Sequence, residues 1–254
     1  MNDVRKNYVV FDIETTGLSP KYEKIIEIGA ARVADGEVAD TFSTFVNPGK
    51  SLPPRIVELT GITDSDVINA PYIEELFDAF VSFAGDDILL GHNLLFDYSF
   101  VKKAAANQKK TFEKKGIDTL RIARRFLTNL DSRKLGDLCS YYGIYLEAHR
   151  ALNDAIATHM LYQRLVADFY EKDAETFLPR ALVYSAKKES PVTPKQYEHV
   201  IRLAQRFGLQ ITEENGICYL EPVESVTTER IDIGRLSKNE ASRLIDRLLA
   251  TFGR

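Results

Sequence analysis

The chain has 254 residues and a formal net charge of −4, with 44% hydrophobic and 28% charged residues, the composition of an ordinary globular protein able to bury a core. That excludes a disordered or fibrous chain, and the acidic balance argues against a protein that coats nucleic acid over its whole surface. No run approaches the roughly 20 apolar residues that span a bilayer, and the apolar stretch after MNDVRK is too short for a signal-peptide core, so a cytoplasmic protein without membrane contact is expected.

Tyr8 to Ile13 are mostly aromatic or β-branched and close on Thr15, Thr16 and Gly17, which predicts a buried strand ending in a turn. Asp12 and Glu14 interrupt it. Residues two apart on a strand share a face, so the two carboxylates emerge side by side. At a separation of about 5 Å they repel by roughly 3 kcal/mol at an effective dielectric of ~20, and a divalent cation supplies the counter-charge. A lone D-x-E is more often a solvated strand end, so a catalytic reading needs partners from elsewhere in the chain.

Lys24 to Ala34 and Val38 to Val46 predict two further strands joined at Asp35 and Gly36, giving three antiparallel strands. Pro53 and Pro54 begin a short helix leading into LTGIT (Leu59 to Thr63), with Asp64 as the cap of the next turn. Across Pro71 to Ala84, Ile73, Leu76, Phe77, Phe80, Val81 and Phe83 fall mostly at helical spacing, as in an amphipathic helix packed on a sheet. Asp87 to Leu90 is a short buried strand followed by a turn at Gly91, His92 and Asn93. Leu94 to Ala106 is then a helix with Asp97 in its first turn, beside the strand edge where open α/β sheets gather ligands.

Lys102, Lys103, Lys109, Lys110, Lys114, Lys115, Arg121, Arg124 and Arg125 form a basic block against only Glu113 and Asp118, and a solvated face and a phosphate track are equally open readings. Within it, Gly116 to Thr119 is a short strand with Leu120 to Leu127 helical behind it. Lys134 to Tyr142 is a helix closed by Gly143, and Arg150 to Tyr170 is one long helix with His149 just before it and Asp154 in its first turns. Cys139 and Cys218 read as buried free thiols.

Residues 173–192 hold Pro179 and Pro191 and lose periodicity, which predicts a linker between a domain at 1–172 and a small module at 193–254. Capping boxes at Thr193 to Gln196 and Ser237 to Glu240 start two helices that flank extended pieces at Gln210 to Ile211 and Ile217 to Leu220. The module has no clustered carboxylates or histidines, and a packing or docking role is preferred to substrate binding. Strands first, then strands alternating with helices, make the chain α/β with αβα layering around a mixed central sheet, plus a small C-terminal α+β module.

FDIETTGL (Phe11 to Leu18), GHNLLFD (Gly91 to Asp97) and the closing pair His149 and Asp154 resemble the three ordered signatures of the DEDDh, or DnaQ-like, 3′-5′ exonucleases, relatives of the epsilon proofreading subunit of bacterial DNA polymerase III. The sister group has Tyr where this chain has Arg150, so the histidine subtype fits. The resemblance covers the first two-thirds of the chain and implies a ribonuclease H-like fold.

It also implies a metal-dependent hydrolase that cuts terminal phosphodiester bonds of single-stranded or frayed nucleic acid, DNA favoured over RNA, releasing nucleoside monophosphates. Two Mg²⁺ or Mn²⁺ ions would be held by Asp12, Glu14, Asp97 and Asp154, all hard oxygen donors. By resemblance Asp12 bridges both ions, Glu14 and Asp154 complete the first site, and Asp97 acts on the second. His149 is the implied general base, an imidazole being able to accept a proton near neutrality.

Thr15, Gly17 and Leu18 would hold the 3′-terminal nucleotide, Gly61 and Ile62 would pack on its base, and Asn93 and Phe96 would support the site. Leu94 is bulkier than the small residue often found at that place in the family, which bears on the pocket's shape. His92, His159 and His199 read as structural. The implied partners are a nucleic-acid 3′ end and a polymerase or other protein held through the C-terminal module. The competing reading is a catalytically silent nucleic-acid-binding or polymerase-associated scaffold with the same fold, against which the presence of all five catalytic positions counts.

Overall fold

The computed structural model describes residues 4–223, 225–227 and 229–253. Strands β1 (Tyr8–Thr15), β2 (Ile25–Ala34) and β3 (Glu37–Phe45) form an antiparallel meander, with Asp35 at φ 53° and Gly36 at φ 90° turning the β2–β3 hairpin. Strands β4 (Leu89–Gly91) and β5 (Lys115–Asp118) continue the sheet in parallel beyond β1, and β6 (Arg180–Ala181) pairs antiparallel with β5. The sheet order is β3-β2-β1-β4-β5-β6.

The short helices α1 (Pro54–Thr60) and α2 (Asp64–Val67) lie between β3 and the longer α3 (Ile73–Ala84), and α4 (Leu95–Asn107) follows β4. After β5 come α5 (Thr119–Phe126), α6 (Leu135–Tyr142) and α7 (Ala151–Phe169). β1 is buried on both faces because its alternating side chains feed two cores. Tyr8 and Val10 join Leu161, Tyr162 and Leu165 of α7, while Val9, Phe11 and Ile13 join Phe77 and Phe80 of α3 and Tyr98 and Val101 of α4. Each such side chain contributes roughly 1.5–3 kcal/mol by leaving water. Asp12 and Glu14 continue the Tyr8–Val10 row, so they emerge on the α7 side where the strand leaves the core.

The stretch expected to be a linker is partly built into this unit. Phe177 is buried beside Phe126 and Tyr162, β6 adds to the sheet, and Leu182 and Tyr184 pack on the α3–α4 core. Isolated aromatic anchors leave no periodicity, so the sequence pattern could not report them. Asp64 also departs from its expected role: Thr63 is the N-cap of α2, taking the Asp66 carboxylate on its N–H at 2.8 Å, while Asp64 accepts the Leu52 N–H at 2.7 Å. Both cysteines are free, but Cys218 is half-buried instead of buried.

The basic block is largely committed to internal contacts. Lys103 pairs with Glu189 at 3.4 Å, Lys110 with Asp78 at 2.6 Å and Arg125 with Asp173 at 3.5 Å, and Lys102 pairs with Glu113. Lys114 donates to the carbonyls of Ala84, Gly85 and Asp87, and Arg121 to those of Thr176 and Leu178. These side chains fasten the fold.

The C-terminal module packs α8 (Pro194–Arg206) and α9 (Lys238–Phe252) against β7 (Ile211–Glu214), β8 (Ile217–Leu220) and β9 (Ile231–Asp232), around Val200, Leu203, Leu220, Leu244 and Leu248. β9 was not anticipated, since two residues carry no pattern. It is also the seam to the first unit: Ser51 N–H donates to Arg230 O at 2.9 Å and Asp232 N–H to Gly49 O at 3.0 Å. The Arg235 guanidinium lies 3.6 Å from the Tyr72 ring centroid, and Lys24 faces Glu240 at 3.7 Å. Among the described residues no helix is long and apolar enough to cross a membrane.

Candidate active site

The carboxylates of Asp12, Glu14 and Asp154 offer oxygens that all lie within 4.8 Å of one another. Among the described residues no other group of three or more potential His, Cys, Asp or Glu ligands meets in this way. Asp97, 3% exposed in the first turn of α4, stands beside the trio and accepts the N–H of Ile13 at 3.2 Å. That bond ties the helix to the peptide between the two acidic residues of β1.

The N-terminus of α7 is brought to the strand by an absent side chain. A Cβ on Gly29, the β2 residue paired with Asp12, would lie 2.0 Å from Leu152 N and 2.2 Å from Ala151 C. Only glycine admits that approach. The helix start is then held by Glu27, 2% exposed on β2 and paired in register with Glu14. Its carboxylate accepts the Ala151 N–H at 3.1 Å and the Arg150 guanidinium, Nη2 at 3.0 Å and Nε at 3.2 Å. His149 precedes it in a left-handed conformation, φ 67°, and donates its backbone N–H to Asp154 Oδ2 at 2.9 Å. The imidazole is exposed beside that carboxylate.

Burial and mutual repulsion set the charge of the cluster. Asp12 is pushed well above the usual carboxylate range by burial and then by Asp97, Asp154 and Glu14. Burial, with Asp154 and Glu27 adding to it, raises Glu14 to about 8 against the opposing pull of Arg150. Asp97 and Asp154 are also raised by burial, partly offset by the backbone N–H groups they accept. Oxygen donors only, crowded until they favour protonation, fit a hard divalent cation such as Mg²⁺ or Mn²⁺ and not a soft one.

The turn after β4 is locked from beneath. His92 bonds Thr119 Oγ1 and Arg133 O, both at 2.9 Å, and the Asp118 carboxylate accepts the N–H of Asn93, itself left-handed at φ 65°. Leu94 is fully buried in the α3–α4 core, filling space that a Cβ on Gly91 or Gly116 would need, so its bulk is taken up inside the core. Phe96 is half-buried, its ring centroid 5.1 Å from that of Phe100 with the planes tilted by 56°. Asn93 is exposed.

The residues expected to hold a nucleotide divide. Leu18 is 87% exposed and Gly61, at φ 70°, is open above. Thr15 instead donates its hydroxyl to Gly17 O at 2.7 Å, bracing the loop that carries Leu18. Ile62 is a correction: it is 2% exposed in a cluster with Ile26, Leu52 and Val67, so it has no free face for a base. It anchors the LTGIT loop over β2. Sequence reasoning missed Glu27, Arg150, Gly29 and Asp118 as site-building residues. The available signal was a charged residue and a glycine inside the apolar strand KIIEIGA.

The family model described as exonuclease matches residues 9–162. The chain is 39% identical over 203 residues to a PolC-type DNA polymerase III of Clostridium perfringens, covering 78% of this chain and 14% of that protein. It is 40% identical over 170 residues to the PolC-type enzyme of Bacillus subtilis, covering 66% and 12%. The chain thus spans about a seventh or less of the length of these relatives. Among solved structures it is similar to Exonuclease X in complex with 5′ overhanging duplex DNA, with a TM-score of 0.54 at 23% identity, covering 67% of this chain and 99% of that one. It is also similar to the nuclease domain of 3′hExo, a DEDDh family member bound to rAMP, with a TM-score of 0.56 at 20% identity, covering 66% and 96%. These likenesses share the ribonuclease H-like fold. With its family match running from β1 into α7 and across every carboxylate of the cluster, the chain belongs to the DEDDh exonuclease family.

Proposed function

We propose that the chain is a 3′-5′ exonuclease that hydrolyses the terminal phosphodiester of single-stranded or frayed nucleic acid, DNA in preference to RNA, and releases nucleoside monophosphates. The observation that carries this reading is the meeting of carboxylates from β1, α4 and α7 next to an exposed imidazole. Asp12, Glu14, Asp97 and Asp154 would hold two Mg²⁺ or Mn²⁺ ions, which when bound supply the positive charge that offsets the phosphodiester's own.

The chain's own groups do the rest. His149 takes the proton of the attacking water, held at the site by its backbone bond to Asp154. The loop of Thr15, Gly17 and Leu18, together with Gly61 of LTGIT and with Asn93 and Phe96 of the second signature, cradles the last nucleotide. A cradle for one chain end makes the cut terminal.

A 5′-labelled oligonucleotide incubated with Mg²⁺ tests this. The expected product is a ladder shortening from the 3′ end, lost in Asp12→Ala and slowed about 10²- to 10⁴-fold in His149→Ala. His149→Ala should keep the Mg²⁺-induced rise in Tm. An undiminished rate in Asp12→Ala would sink the assignment. Matched single-stranded DNA, mismatched duplex ends and short RNA compared side by side rank the substrates. A second reading, that the chain edits for a separate polymerase, draws on the PolC-type relatives and is tested by co-purification with a polymerase subunit.

A further inference from the structure

A cleft of about 430 Å³ lies where the module meets the loop that follows Glu14, within the ~300–1,000 Å³ of ligand clefts. Tyr22 and Lys50 line it from the first unit, and Thr227, Glu229, Arg243 and Arg247 from the module. Arg243 and Arg247 are four residues apart on α9, hence on one face, and both are exposed.

Among the described residues, the two carboxylates lining the cleft are already matched. Glu229 faces Lys50 at 3.3 Å, and Glu240 faces Lys24 at 3.7 Å and accepts the Ser237 N–H at 2.7 Å. Neither guanidinium has a carboxylate partner among the described residues. Arg247 uses one donor on Val226 O at 3.0 Å, and Arg243 lies 4.8 Å from the ring centroid of Tyr22. Tyr22 is 42% exposed and carries Lys21 at 4.8 Å as well. Its hydroxyl is held below the usual phenol range by Lys21 and then by Arg243, a sign of the local positive field.

The loop that lines the cleft leads back to the candidate active site. Ser19 O accepts the N–H of Tyr22 at 3.0 Å and of Glu23 at 2.9 Å, so Tyr22 sits one turn beyond Leu18. Glu23 then accepts the Thr16 hydroxyl at 2.6 Å and Lys50 Nζ at 3.3 Å, and Lys50 reaches on to Glu229 of the module. One polar chain therefore fixes the nucleotide-facing loop to the module.

We propose that this cleft takes the phosphodiester backbone and one stacked base of the strand whose 3′ end lies at the carboxylates, making the module part of the substrate surface. An exposed ring among unmatched cations is what single-stranded nucleic acid uses without regard to sequence. A protein anchor is disfavoured, because of the apolar lining residues Val226, Ile231 and Leu244 are buried and Leu236 alone is half-buried, too little apolar surface to seat one. The proposal rests on the exonuclease reading for the strand's polarity.

The test is equilibrium binding of 5′-fluorescein oligothymidylates of two and eight residues to the full chain in EDTA. Arg243→Ala combined with Arg247→Ala should weaken the octamer about tenfold, lower its salt dependence and leave the dimer where it was, with Tyr22→Ala acting in the same direction. Arg243→Lys should retain part of the octamer affinity. A double variant that binds the octamer as tightly as the wild type, or that loses dimer and octamer alike, overturns the proposal. Hydrolysis of the dimer by wild type with Mg²⁺ is scored separately: its absence overturns the exonuclease reading, while the octamer contrast still decides the cleft.

Discussion

Arg150 lays its guanidinium on the carboxylate of Glu27, Nη2 at 3.0 Å and Nε at 3.2 Å from the same oxygen, while the other oxygen takes the first N–H of α7. The pair lies one residue from His149 and opposite Glu14 in the β1–β2 register. A buried anion is thereby satisfied, and the helix carrying Asp154 is pinned at its start.

Glu27 should therefore act through position. Glu27→Ala removes three donors' partner and is expected to cost about 1–3 kcal/mol of stability, read by urea unfolding. It should lower kcat far more than it raises KM, because Asp154 and His149 lose their anchor while the nucleotide loop does not. Glu27→Gln keeps an oxygen for the Ala151 N–H and should recover part of both. Equal activity in wild type and Glu27→Ala would show the pair to be ornamental.

The carboxylate cluster costs stability when no cation offsets it. Glu14 is ordinarily near 4.5 and stands at about 8 in the fold, so the native state binds more protons between those values. Stability of the metal-free protein then falls as pH rises through that window, and added Mg²⁺ should restore most at its upper end. Asp12→Asn removes one repelling charge. In EDTA it should melt higher than wild type, by on the order of 1 kcal/mol, while losing both hydrolysis and the Mg²⁺ response.

Gly29 makes a sharper test of packing. Gly29→Ala drives a Cβ into the backbone of Ala151 and Leu152, and about 3 kcal/mol of destabilisation is expected together with loss of activity. Gly136, exposed in α6 with nothing within 4 Å of its would-be Cβ, is the control. Gly136→Ala should stabilise by about 0.5–1 kcal/mol, so opposite signs from one chemical change are the outcome to look for in denaturant melts.

His159 supplies a pH dependence away from the site. It is 5% exposed, and its Nδ1 shares a hydrogen bond of 2.8 Å with the Tyr8 hydroxyl. Burial lowers its pKa below the ordinary 6.5, with Glu37 opposing weakly. The unfolded chain then binds the proton first, so stability is lost as pH falls below about 6.5. Against His159→Gln, whose amide can still bond the Tyr8 hydroxyl, wild-type Tm should decline more steeply between pH 7.5 and 5.5. Parallel curves would remove His159 as the cause.

Much of the fold was legible because it is written in local periods. β1, the β2–β3 hairpin, α3, α7 and the two capping boxes of the module follow from alternation, helical spacing and side chains that bond backbone within three residues. Where the reading departed from the structure, distance in sequence is the reason. Ile62 lies in a motif that reads as ligand-facing, yet Ile26 and Leu52 close over it. The linker hides Phe177 and β6 because one aromatic and two residues make no pattern, and the basic block could not be told from a phosphate track until Glu189, Asp78 and Asp173 were seen beside it.

By itself the sequence determined that Asp12 and Glu14 share a face, that Asp97 and Asp154 lie in the first turns of helices, and that His149 stands just ahead of the helix carrying Asp154, since these are consequences of strand and helix geometry. Only the tertiary structure decided that three of those carboxylates meet within 4.8 Å, through a glycine that lets α7 touch β2 and a buried Glu27 that holds it there. Contacts between elements more than a hundred residues apart depend on which backbone surfaces can approach, and no local period encodes that.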